Sequence, residues 1–176
     1  RHPIYPRGAQ TGPHARAAVI VMWWMLLCVV LWGFTPLLWF RPHQLITSVD
    51  LFLPITPADW WSQLFMWNPR WETGAEWLTG PSALLSTGGT ALVMAAGGAE
   101  RFAQQVDFVF WFLLPGLTVW WFFHQLMPGP RYRVLKLVAV NVYMFNLFLE
   151  SLLAGNKAGL SAYAAIPLLL GILYRA

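Results

Sequence analysis

A chain of 176 residues with 58% hydrophobic and only 10% charged side chains departs from soluble domains, where about 25% are charged. The net charge of +4 comes from basic residues scattered along the chain rather than gathered into a stripe, which argues against a nucleic-acid surface. The single cysteine, Cys28, excludes an internal disulfide, dithiol redox chemistry and a cysteine zinc site.

Residues 1–16 read as a basic tail carrying Arg1, Arg7 and Arg16, and no acidic residue precedes Asp50. A basic leader opening on Arg1 fits the remnant of a processed organellar precursor. An ordinary cytoplasmic or matrix-side tail is the plainer reading. Pro3, Pro6, Gly8, Gly12 and Pro13 argue against a helix before Ala15. Residues 17–40 are 24 uncharged, mostly apolar positions. As a helix they reach about 36 Å, enough to cross a hydrocarbon core of about 30 Å.

Residues 41–105 read as an excursion that is apolar and aromatic rather than loop-like. Thr56-Pro57-Ala58-Asp59 resembles a helix start, so residues 57–66 are expected as a short interfacial helix with Trp60, Trp61 and Trp67 among headgroups. Residues 81–98 are 18 uncharged positions, but their four glycines and several hydroxyls make them a weak span. Three further spans are expected at 106–127, 134–154 and 158–174. Pro115 and Pro167 predict kinks, and each frees a carbonyl that a neighbouring helix or side chain must satisfy.

The distribution of Lys and Arg favours four spans over five. With four, the tail, the Arg131, Arg133 and Lys136 cluster, and Arg175 share one side, giving seven basic residues against Arg41, Arg70, Arg101 and Lys157 opposite. With five, the division is five against six. Six of the seven acidic residues (Asp50, Asp59, Glu72, Glu76, Glu100 and Asp107) then fall in or at the edge of the excursion. The expected fold is therefore an all-α integral membrane protein, one membrane domain of about four transmembrane helices with an interfacial helical excursion. A fifth or re-entrant segment at 81–98 stays open.

Glu150 is the most interesting polar group, because a carboxylate in hydrocarbon needs water or a partner. Tyr143, Asn146 and Glu150 follow at spacings of three and four, with Asn141 extending the stripe. Glu150 with Asn146 is a candidate proton, cation or substrate site. The plainer alternative has Glu150 reaching the interface or Lys157, and the asparagines hydrogen-bonding a neighbouring helix. His124, near the end of the 106–127 span, is a candidate haem or chlorophyll ligand shared with another chain, since His2, His14 and His43 lie outside the spans. An interfacial histidine bonded to a carbonyl is the plainer reading. Gly88-Gly89, Gly97-Gly98 and the Gly155/Gly159 pair mark places where another backbone can approach. The 12 Trp are expected as belt and packing residues.

No phosphate loop, HExxH, GxSxG or internal repeat occurs. Three functions fit. The first is an accessory, non-catalytic subunit of a larger membrane complex, for example a respiratory or photosynthetic one, with lipid or pigment at its subunit interfaces. The second is a small carrier or channel component using Glu150. The third is an intramembrane lipid-modifying enzyme in which Glu150, His124 and Asp107 converge. The expected setting is a bacterial inner membrane or an organellar one, mitochondrial inner or thylakoid, with the bilayer and other transmembrane subunits as partners.

Overall fold

The computed structural model describes residues 13–46, 67–68, 75–76, 80–155 and 157–175, and they are almost entirely helical. The expected interfacial helix at 57–66, with Trp60 and Trp61, lies outside the described residues. So do the first twelve residues of the tail. Within the excursion, Trp67–Asn68 and Ala75–Glu76 form a two-residue antiparallel pair, Trp67 opposite Glu76.

The first apolar run becomes helix α1 (Pro13–Gly33) and a 3-10 turn, Thr35–Trp39. The helix starts two positions earlier than the Pro and Gly pattern implied, because a proline is tolerated in a first turn, where its missing N–H has no helical acceptor. Pro36 has no N–H to give the Trp32 carbonyl four residues earlier, so the α-helical bonding lapses and the chain continues as a 3-10 turn.

Residues of the doubtful stretch form α2 (Gly80–Ala95). At about 1.5 Å per residue its 16 residues reach about 24 Å, short of a bilayer core. Its end explains the Gly97-Gly98 pair. Gly97 takes φ +84° and donates to Met94 O at 3.0 Å, while the Gly98 amide donates to Val93 O at 2.9 Å. These two bonds close the helix C-terminus and need a residue free to adopt left-handed backbone. The pair is a helix stop that turns the chain into α3.

Helix α3 (Glu100–Leu126) runs for 27 residues and begins six positions before the expected span. It passes through Pro115 without a break, and Thr118 Oγ1 donates back to Pro115 O at 2.9 Å. After a turn at Pro130–Tyr132, the stretch expected as one span is instead two helices, α4 (Arg133–Met144) and α5 (Leu147–Gly155), bent by 46°. Helix α6 (Lys157–Arg175) contains Pro167.

Two helical segments, Val19–Trp39 and Glu100–Leu126, are long and apolar enough to cross a membrane, and the bent pair α4–α5 makes a third if taken as one span. Gly159–Arg175 is a shorter apolar helix. Buried residues make up 44% of the apolar window in α3 but 22% in the first segment, so α3 is the axis and α1 the periphery. All the other helices pack on α3. The core joins Val29, Phe112, Val140, Met144, Leu149 and Leu160, from five helices.

Gly116 and Gly171, which lie outside the expected pairs, admit close helix contacts. A Cβ on Gly116 would run into the Met144 side chain of α4, and one on Gly171 into the Trp121 ring of α3. Tryptophans divide between two roles. Trp111 is buried and Trp32 and Trp120 pack against the core, whereas Trp23 and Trp24 are each 60% exposed on α1. Leu31, Leu38, Val134 and Val142 extend that outward apolar surface, which in water would be unfavourable and in lipid is not.

Candidate functional site

Among the described residues polar side chains gather in three places, and the best ordered is the break between α4 and α5. Neither proline nor glycine causes it. Asn146 Nδ2 donates to the carbonyls of Val142 (3.2 Å) and Tyr143 (2.7 Å) at the end of α4, and to Tyr163 Oη of α6 (3.0 Å). Its Oδ1 accepts the Leu149 amide at 2.9 Å, the cap position for α5. One side chain thus satisfies the carbonyls that α4 leaves unpaired and an amide that α5 leaves unpaired.

Tyr143 completes the hinge. Pro167 has no N–H to give the Tyr163 carbonyl four residues earlier, and Tyr143 Oη donates to that carbonyl at 2.7 Å. Tyr163 Oη returns a bond to Tyr143 O at 3.1 Å, and the two rings stack at 4.2 Å. The carbonyl freed by Pro167 therefore finds the partner expected of it. Asn146 acts as a double cap with its polar atoms committed within the chain.

Glu150 lies in the first turn of α5 and is exposed. It lines a cleft of about 420 Å³ with Trp39, Ile46, Phe108 and Leu153. A negative charge there faces the positive end of the helix dipole. Lys157, its expected alternative partner, has a side chain outside the described set. Nearby, Gln104 is fully buried and its side-chain amide both donates to Ile46 O and accepts from Ile46 N, pairing with that residue's backbone as a strand neighbour would. This ties the start of the excursion to α3. Asp107, expected at the excursion's edge, is instead buried inside α3 and accepts a bond from Thr90 Oγ1 of α2 at 3.4 Å.

The third place is at the other end of α3. His124 is exposed and stacks on Trp120 at 6.4 Å. It lines a cleft of about 200 Å³ with Val19, Met22 and Met25 of α1 and with Arg133 and Lys136 of α4. That volume falls below the roughly 300–1,000 Å³ of pockets that enclose cofactor-sized ligands. Arg175, at the end of α6, reaches the same end of the bundle, where its Nε donates to Gln125 Oε1 at 2.9 Å and its guanidinium lies over Trp121.

His124 and Asp107 lie 17 residues apart on one continuous helix, about 25 Å along its axis. The structure does not bring them into one cavity, so acid–base work shared by Glu150, His124 and Asp107 fails on reach. Sequence reasoning used Arg133 and Lys136 only to orient the chain and did not see them as a site. The available signal was two cations three residues apart at the start of an apolar helix, directly after a His-bearing helix end. Among the described residues, no cluster of three or more His, Cys, Asp or Glu has metal-binding geometry. Comparison with protein-family models, with curated proteins and with solved structures finds no match to this chain.

Proposed function

We propose that this chain is an accessory, non-catalytic transmembrane subunit of a larger membrane assembly. The observation that carries this reading is the contrast between an internally bonded hinge and a wide, uncovered apolar surface. Asn146, Tyr143 and Tyr163 use their polar atoms to hold three helices together. Meanwhile α1 leaves Trp23, Trp24, Leu27 and Leu31 outward, and α4 leaves Val134, Leu135, Val138 and Val142 outward. Such faces suit lipid or the apolar helices of partner subunits, where close packing rather than water exclusion drives association.

The chain crosses the bilayer four times in this reading: α1 with its 3-10 turn, α3, the bent α4–α5 pair and α6. Support comes from one basic end, where the start of α1, the α3–α4 turn and the end of α6 meet. Purifying the protein from its native membrane in mild detergent and identifying what travels with it tests the proposal. Stoichiometric co-migration with larger transmembrane chains is the expected result. Migration alone or as a homo-oligomer would contradict it.

One observation favours a second reading: Glu150 is an exposed carboxylate lining a cleft between apolar helices. In a proton- or cation-coupled carrier, Glu150→Gln would abolish uptake into liposomes. Unchanged uptake would remove that role.

A further inference from the structure

We infer that the cleft between α1 and the α3–α4 turn holds the phosphate headgroup of an anionic phospholipid. His124, Arg133 and Lys136 line it, and no Asp or Glu among the described residues does. Lys136 is only 3% exposed, yet it has no hydrogen bond or ion pair among the described residues. Its ammonium is therefore not sealed in the core but opens onto the cleft, on the same lining as the Arg133 guanidinium, and an anion seated between the two offsets both charges. Arg133 and Lys136 are three residues apart in the first turns of α4, so they face the same way and add to the positive end of that helix's dipole.

The remaining wall selects the rest of the ligand. Val19, Met22, Met25 and Trp120 offer an apolar track that suits an acyl chain and gives nothing to a hydrated inorganic anion. His124 lies two residues before the end of α3 and Arg133 opens α4, so the cations stand at the end of the bundle, the level at which headgroups lie. A lipid bound there would bridge the peripheral helix α1 to α4. This inference is independent of the subunit reading, since it concerns the isolated chain.

Native mass spectrometry of the intact chain in detergent tests it, with phosphatidylglycerol, phosphatidylcholine of the same acyl chains and inorganic phosphate offered in turn. Phosphatidylglycerol should bind at one site about tenfold tighter than phosphatidylcholine. The paired change Lys136→Gln with Arg133→Gln should abolish that preference. Met22→Trp, which fills the apolar track and leaves every charge, should also abolish it. Arg41→Gln, beyond the 3-10 turn that follows α1, should not. Equal binding of the two lipids by the unaltered protein would overturn the inference without recourse to any variant. Retention of the preference in either folded cleft variant, or displacement of phosphatidylglycerol by equimolar inorganic phosphate, would overturn it too.

Discussion

Helix α4 carries a polar region at each end, and the two are built in opposite ways. At its C-terminal end Asn146, Tyr143 and Tyr163 bond to one another and to carbonyls that a helix break and a proline would otherwise leave bare. At its N-terminal end Lys136 is 3% exposed, more deeply placed than the half-buried hinge residues, but has no such partner among the described residues. In an apolar medium the first arrangement is complete in itself, whereas the second calls for something brought from outside. Burial alone therefore does not separate a structural polar group from a binding one. Satisfaction does.

Substitutions at the two ends should differ in size and then in sign. Asn146→Leu removes the cap on α5 and strips the end of α4, and should cost about 2–4 kcal/mol in reversible unfolding in mixed micelles. A loss below about 0.5 kcal/mol would show that the hinge does not hold the bundle. Gly171→Leu drives a side chain into the Trp121 ring, and the same assay should register about 1–3 kcal/mol.

Tyr143→Phe should cost about 1 kcal/mol by baring the Tyr163 carbonyl. Adding Pro167→Ala should recover most of that loss, because an amide at position 167 can reach the carbonyl along the helix. Strictly additive effects would show that this carbonyl does not couple the two positions. The smallest effect lies at the other end. Lys136→Met in lipid-free detergent should be neutral or stabilising by up to about 1 kcal/mol, since it removes an uncompensated charge. Destabilisation by more than about 2 kcal/mol would mean that the ammonium has an internal partner.

What the sequence made legible follows from the strength of each signal. Uncharged runs of about twenty residues have few soluble alternatives, so the segments now seen as α1, α3 and α6 stood out, with ends off by one to seven positions. The break at Asn146 was hidden, because one asparagine in an apolar stretch reads equally as a contact to a neighbouring helix. Here it makes that contact with Tyr163 and caps two helices as well. Glycine pairs misled for a related reason: Gly97-Gly98 supplies left-handed backbone at a helix stop, while isolated Gly116 and Gly171 admit the close contacts. Asp107 looked interfacial because its nearest apolar run begins beside it, and only the pairing with Thr90 of α2 reveals an interior position. The basic cleft requires α1 to meet the α3–α4 turn, a contact between residues far apart in the chain that local pattern does not encode.

The four-span reading depends on the α3–α4 turn and the end of α6 facing one side of the membrane, with the α1–excursion junction facing the other. Because Cys28 is the only cysteine, a Cys28→Ser background permits single-site labelling at chosen positions. In sealed oriented vesicles, Arg131→Cys and Arg175→Cys should react with an impermeant maleimide from one side and Arg41→Cys from the other. Labelling of Arg131→Cys and Arg175→Cys from opposite sides would contradict the shared basic end and with it the four-span arrangement.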